Sequence, residues 1–466
     1  MVEKGDHAVP RSSSQRRGLR RAAALAIGVA TGFLCAVWLL AGCERRDDRP
    51  NVVFVLVDDH RHDVLSLAGY PSVRTPEIDS LAAAGVRFRS ACVTTSLCSP
   101  SRASYLTGCY AHRHGVVVNE RHDPSEETPL FPALFQAAGY ETAFIGKWHQ
   151  ARWASPRRGF DRWVAFNRQG LYTDNTLNVD GRWVLSHDYV TDDLTERALR
   201  FLGRKRSRPF FLMLAHKAVH APFEPAPRHR DLYPGARAPE LGADDLDAKA
   251  DSGGRTDIGP DADAIVRAYL QTLAAVDESV GRLRAQLAKT GQLENTIFVY
   301  ASDNGYHFGE HGLWDKRTAY EESIRVPLII SWPARWPRGV ENDALALNID
   351  LGPTLLEACG VEVPASMQGC SLLPVIAGEA GRDAVLYEYF RGDGPVPDIL
   401  AVRTRRWKYI RYPRRPDLTD ELYDLQTDPH ELHNVIDEPH HASRRAELRA
   451  RLEHLLRETD FRWPAD

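Results

Sequence analysis

Four short stretches of this chain carry side chains that could act together on an ester. Asp58 and Asp59 follow "NVVFVLV", Asp303 and Asn304 close "NTIFVYASDN", Lys147 and His149 end "YETAFIGKWH", and His220 follows "RPFFLMLAHKAV". The two acidic stretches offer oxygen ligands only, which suits a hard divalent ion, Ca²⁺ or Mg²⁺, rather than zinc. An Asp-Asp pair at a strand end is costly without a cation, because each charge raises the other's pKa. Lys147 and His149 are two apart and would point the same way on an extended segment. His220 and Lys316, the latter in "GEHGLWDKRTAYEE", add a proton donor and a second cation. Singly, each has an ordinary explanation: Asp-Asp caps helices, Asp-Asn-Gly is a favoured turn, and a lone histidine is usually a satisfied one. As a set with a metal, they fit ester hydrolysis through an anionic transition state.

Such a site needs a nucleophile, and "TTSLCSPSRASYLTG" contains Cys98 with Arg102 four places on. Read as a polar loop, this stretch suits neither a disulfide nor a thiol among apolar neighbours. As a thiolate, Cys98 would have its pKa lowered by Arg102. No histidine or carboxylate lies beside it in sequence as a base, and thiolate beside a hard metal is a poor match.

The elements that must position these residues follow one grammar. Val52–Val57, the run before Gly146, Phe210–Leu214 and Ile297–Ala301 are short continuous apolar runs, the pattern of strands buried on both faces. In each case useful side chains begin where the strand ends. Between them lie helical patterns, the best being "AIVRAYLQTLAAVDESVGRLRAQLAK", with Val266, Tyr269, Leu270, Leu273, Val276, Val280, Leu283 and Leu287 on one face. Alternating strands and helices predict an α/β fold, a large sheet flanked by helices, with ligands outside the carboxyl ends of the strands. Residues 225–262 read as a surface insertion that directly follows His220. From about Gly369 short strands and a charged helix over Ala442–Glu458 predict a smaller C-terminal α+β domain.

The 466 residues suffice for such a domain pair, and a net charge of −4 argues against a nucleic-acid partner. Arginine is the default cation, so a lysine hints that a compact ammonium is wanted. The seven cysteines show no metal-binding CxxC pair; a Cys359–Cys370 bridge is left open. At the N-terminus, Arg16-Arg17 precede an apolar run over Ala22–Leu40 that ends in "LLAGC" at Cys43. This reads as an export signal with a lipobox, lipidated at Cys43; the other reading is an uncleaved anchor, since about 20 apolar residues can span a bilayer. The predicted division is an export signal over 1–43, a linker over 44–50, a catalytic domain over 51–365 and a C-terminal subdomain over 366–466.

"CSPSRASYLTG" resembles the C-x-P-S-R-x-x-x-x-T-G signature of the formylglycine-dependent sulfatases at every defined position, and "VDD", "GKWH", "HAPF", "SDNG" and "GEHGLWDKRTAYEESIRVP" follow in family order. The resemblance implies an alkaline-phosphatase-like fold and a sulfuric ester hydrolase. It implies that a dedicated formylglycine-generating or maturase enzyme oxidises Cys98 to Cα-formylglycine, whose hydrate attacks sulfur beside a metal held by Asp58, Asp59, Asp303, Asn304 and residue 98 itself. It further implies that Arg102 and Lys147 polarise the formylglycine, that His220 with Lys316 serves the leaving oxygen, and that His149 takes a proton from the second hydroxyl. One departure is that Gln150 stands where relatives often have glycine after this histidine. "HKAVHAPFEPAPRH" and "YEESIRVP" look most like the glycan-directed branch that includes N-acetylglucosamine-6-sulfatases, so a sulfated carbohydrate or an aryl sulfate is the expected substrate. Two readings compete: a phosphate or phosphonate ester hydrolase of the same superfamily, and an inactive glycan-binding lipoprotein.

Overall fold

The strand Asn51–Val57 (β1) alternates its contacts although its sequence does not: Val53, Val55 and Val57 enter one buried cluster while Val52, Phe54 and Leu56 enter another. A run that is apolar at every position can be buried on both faces only in the interior of a covered sheet, and β1 lies in the interior of one. In the computed structural model, which describes residues 1–2, 5, 47–240, 262–390 and 396–464, β1 belongs to a ten-stranded sheet. The other strands are Val86–Cys92 (β2), Glu141–Lys147 (β3), Arg162–Phe166 (β4), Asn175–Val179 (β5), Arg182–Ser186 (β6), Phe210–Ala215 (β7), Thr296–Ser302 (β8), Leu328–Ser331 (β11) and Val340–Leu347 (β12), with the short hairpin His307–Phe308 (β9) and Trp314–Asp315 (β10) outside it. The order is β12-β2-β11-β8-β1-β7-β3-β4-β5-β6. Its centre, β8-β1-β7-β3, is parallel, whereas β11, β5 and β6 pair antiparallel with their neighbours.

Helices Val190–Leu202 and Ala262–Lys289 cover one face and helix Leu351–Ala358, with Phe131 and Phe135, the other. A second sheet of four antiparallel strands, Ala384–Tyr389 (β13), Ile399–Thr404 (β14), Trp407–Arg411 (β15) and Glu421–Asp424 (β16), packs with the terminal helix Ala442–Glu458 around its own core. The expected α/β architecture, mixed sheet and smaller C-terminal α+β region are therefore present.

The export signal, the lipobox at Cys43 and most of the insertion after Pro225 lie outside the described residues. Among those that are described, no helix is long and apolar enough to cross a membrane. The open disulfide is answered: Cys359 is a buried thiol and Cys370 an exposed one.

Candidate active site

The parallel centre of the sheet turns four sequence-distant motifs into one rim. β8, β1, β7 and β3 are adjacent, so Asp303 and Asn304, Asp58 and Asp59, Lys217 and His220, and Lys147 and His149 all emerge at neighbouring carboxyl ends. The rim is close-packed: at Gly146 (φ 125°), just before Lys147, a Cβ would stand 1.8 Å from the Ala215 carbonyl oxygen, so β3 can approach β7 there only without a side chain.

Cys98 does not sit in a polar loop. It opens the helix Cys98–Thr107, of which every residue is buried. Pro100 is tolerated in the first turn because no backbone N–H is needed there, and Gly108 (φ 66°) ends the helix. The Sγ of Cys98 lies 3.6 Å from Asp58 Oδ1. Arg102, one turn on, donates from Nε to Asp303 Oδ2 at 2.8 Å and from Nη1 to the Lys147 carbonyl at 2.7 Å. The thiolate option, already a poor match in sequence, gains nothing from Arg102, whose Nε and Nη1 bond elsewhere. Burial pushes the thiol up to about 12, and the pull of Lys147 and Lys316 does not offset it beside Asp58 and Asp303. As a thiol, residue 98 is inert at neutral pH.

The acids divide by partner. Burial would raise Asp58, but Lys147, with His220, Arg102 and Lys316, outweighs it and holds this carboxyl well below the usual range. Burial and the neighbouring Asp58 raise Asp59 against the pull of Lys316, and burial with Asp58 brings Asp303 up to about 7. Lys147 Nζ donates to Asp58 and, at 2.5 Å, to Gln169 Oε1; Lys316 Nζ donates to Asp59. Asp303 Oδ1 accepts from the Asp59 N–H at 3.1 Å, and Asn304 Nδ2 donates to Asp59 Oδ1 at 2.7 Å. Asn304 Oδ1 is buried with no hydrogen-bond partner among the described residues. Three buried carboxylates and an orphaned amide oxygen form a hard-oxygen donor set that is incomplete without a cation. Ligand atoms of Asp58, Asp59, Cys98 and His220 lie within 4.8 Å of one another, so a metal fits here.

The two histidines are held in definite tautomers. His149 Nε2 meets Glu120 Oε1 at 3.1 Å, and a carboxylate can only accept, so Nε2 carries the proton and Nδ1, buried and without a partner, is a lone pair. Burial, and Lys147 after it, lower this imidazole to about 3. The segment is not extended as expected: His149 has φ 54°, so it turns from Lys147 toward Glu120. His220 Nδ1 donates to the Ala221 carbonyl at 2.5 Å and its Nε2 is 3.8 Å from Asp59 Oδ2.

All ten expected site residues converge. Three others were missed. Glu120 orients His149 while accepting from Arg168 Nε at 2.7 Å; Gln169 holds Lys147; and Lys217 is a buried ammonium without a hydrogen bond, 4.7 Å over the Tyr172 ring. Only Lys217 had a sequence signal, as a rare lysine at a strand end. The departure at Gln150 also has a structural account: its Nε2 donates to the Ser99 carbonyl at 3.0 Å, bracing the residue beside Cys98.

A sulfatase family profile matches residues 50–361, and a profile described as N-sulphoglucosamine sulphohydrolase, C-terminal, matches residues 309–458. An N-acetylglucosamine-6-O-sulfatase of Bacteroides thetaiotaomicron is 33% identical, over 89% of this chain and 88% of that protein. The N-acetylglucosamine-6-sulfatase of Homo sapiens is 34% identical, over 80% of this chain and 72% of that protein. A solved structure of a protein in complex with its substrate D-glucosamine-2-N,6-O-disulfate superposes with a TM-score of 0.83 at 32% identity, covering 89% of this chain and 99% of that one. With two thirds of its length matched by the first profile and its fold shared with these neighbours, the chain belongs to the sulfatase family.

Proposed function

We propose that this sulfuric ester hydrolase removes sulfate from a sulfated glycan, with residue 98 as nucleophile after oxidation of Cys98 to Cα-formylglycine by a maturation enzyme. One observation carries the reading: the Cys98 side chain, buried at the start of its helix, lies 3.6 Å from Asp58 and within 4.8 Å of the ligand atoms of Asp59 and His220, inside a ring of acids and cations. Asp58, Asp59, Asp303 and Asn304, with residue 98, would hold a divalent cation, Ca²⁺ for preference and Mg²⁺ as the alternative. When bound, that cation would neutralise the carboxylates and polarise the sulfate oxygens, while the hydrated aldehyde supplies a hydroxyl nucleophile. Arg102 fixes the helix start against Asp303 and the Lys147 carbonyl. Lys147 and Lys316 bring two ammonium groups to the developing negative charge. As the imidazolium, with Nδ1 held on the Ala221 carbonyl, His220 would protonate the leaving oxygen from Nε2, and His149 Nδ1 would accept a proton from residue 98. The leader over 1–43 would export the protein and a lipid on Cys43 would anchor it.

The test pairs chemistry with mass. N-acetylglucosamine 6-sulfate, an aryl sulfate, an aryl phosphate and a phosphonate monoester are assayed together, before and after chelation and Ca²⁺ or Mg²⁺ return. Sulfate release that chelation abolishes and Ca²⁺ restores is expected; a phosphate rate far above the sulfate rate sinks the reading. The tryptic peptide carrying residue 98 should show aldehyde in place of thiol, and full activity with an intact thiol would overturn the nucleophile.

A further inference from the structure

Beside His149 the rim opens into a cavity of about 550 Å³, lined among others by Glu120, Arg168, Gln169, Leu171, Asp174 and Asn175, within the range of small-molecule sites, about 300–1,000 Å³. Two of its residues are bonded to the reaction centre: Gln169 Oε1 accepts from Lys147 Nζ, and Glu120 Oε1 faces His149 Nε2. A molecule seated here would touch the two residues that hold Lys147 and His149. The lining suits a sugar, with carboxylate and amide groups for hydroxyls and, at Leu171, an apolar side chain 59% exposed for a C–H face. Three non-glycine residues on this wall, Glu120 (φ 59°), Arg168 (φ 54°) and Asp174 (φ 53°), are held in the left-handed region, a cost that clusters where function demands it.

Arg168 is the unusual member. Its Nε donates to Glu120 Oε2 at 2.7 Å, its side chain is 62% exposed, and Nη1 and Nη2 make no hydrogen bond among the described residues. Glu120 thereby orients the guanidinium and leaves its outer N–H groups for another oxyanion, a planar fork that matches the paired oxygens of a sulfate or carboxylate and that lysine cannot reproduce. We propose that this cavity is a saccharide subsite in which Arg168 binds a second anionic group of the substrate, distinct from the sulfate being removed. The inference rests on the sulfatase reading and narrows its substrate class to glycans carrying two or more anionic groups.

The experiment uses the full, formylglycine-bearing enzyme with three probes. N-acetylglucosamine 6-sulfate has one anionic group, D-glucosamine 2-N,6-O-disulfate has a second sulfate on the same sugar, and a 6-O-sulfated disaccharide bearing a uronate has a carboxylate on the neighbouring sugar. The wild type should show a lower KM for at least one of the latter two, and which one identifies the source of the anion. Arg168→Ala should raise that KM by about tenfold more than it raises the KM of the first probe, with Arg168→Lys recovering only part of the difference. An Arg168→Ala variant that retains its melting temperature yet slows all three probes by one factor, or changes only kcat, overturns the subsite. A wild type that prefers neither doubly anionic probe also overturns it while leaving sulfatase activity standing. Release of sulfate from no probe removes the sulfatase reading and the inference together.

Discussion

The segment 315–325 feeds two buried charge clusters, and they are built differently. At one end Lys316 joins Asp59, Asp58, Asp303, Arg102 and Lys147 on the rim of the large sheet. At the other, Glu321 meets the small sheet: its two oxygens each take an Arg403 nitrogen at 2.8 Å, and its N–H donates to Glu431 Oε2 at 2.7 Å. Lys408 donates to the Ala319 carbonyl at 2.8 Å and pairs with Glu321 Oε1 at 2.8 Å and Glu431 Oε1 at 2.7 Å. The Glu431 contact is an ion pair without hydrogen-bond alignment. Among the described residues the second cluster leaves Glu431 Oε1 and Arg325 Nε without a hydrogen bond, each on a residue held in an ion pair with a protein partner. The first leaves, among the described residues, Asn304 Oδ1, His149 Nδ1 and Lys217 Nζ buried without a hydrogen bond, and Arg102 Nη2 with only an ion-pair contact to Asp58 at 3.5 Å. Buried orphans are expensive, and those of the first cluster surround carboxylates that could hold a metal. The closed cluster clamps the segment that presents Lys316; the open one receives it.

Removing a group from each cluster should break different properties. Cys98→Ala strips the nucleophile from the open cluster and should lower the rate of sulfate release on the order of 10⁵-fold with the melting temperature kept; a variant retaining a percent of activity would remove Cys98 from that role. Lys408→Met leaves two carboxylates facing each other in the closed cluster and should cost about 3–5 kcal/mol in urea unfolding. A loss under about 1 kcal/mol would show that the clamp is not a buried ion network in solution.

Acid should act on the wall beneath the open cluster. Burial lowers His114 to about 3 and His216 to about 4. Their folded pKa values lie below the unfolded value, so on acidification the unfolded chain takes up protons that the native state refuses. Stability therefore falls as pH drops below about 6.5, and the fall from His216 ends near 4 and that from His114 near 3. Each should contribute about 2 kcal/mol of loss by pH 5, measured by urea titration at pH 7 and pH 5; a flat profile would count against neutral burial. The smallest effect is at Glu120. Glu120→Gln keeps the shape and loses the charge that fixes His149, so with N-acetylglucosamine 6-sulfate, which offers Arg168 no second anion, kcat should drop about tenfold with KM within about twofold. An unchanged kcat would make Glu120 a partner of Arg168 alone.

Much of the open cluster was legible because its members lie directly after strands whose burial is written in continuous apolar runs, and parallel neighbours bring their carboxyl ends level. Lysine scarcity was a better signal than it first looked: of the six described lysines, Lys147, Lys217, Lys316 and Lys408 are buried, each where a compact ammonium meets carboxylates or an aromatic face. Glu120 gave no such sign in "VVVNERHD". Nothing local there distinguishes it from a surface acid, and its role exists only because His149 turns back to meet it across 29 positions. The closed cluster was illegible for the same reason, since Glu321 and Arg403 are 82 positions apart.

Residue type and spacing alone therefore determined which side chains assemble and at which end of the sheet, because strand patterning and the turn after each strand are short-range properties. The state of those side chains was decided only by tertiary structure. From its neighbours in sequence Cys98 has Arg102 at hand but no base, which leaves its protonation open; burial, with Asp58 acting through space, holds it as a thiol. Asp58 and Asp303 are the same residue type after equivalent strands, yet one is held far below the ordinary carboxyl range and the other brought up to about 7. That difference depends on which cation reaches each, and desolvation and Coulomb interactions depend on distance and burial rather than on position along the chain.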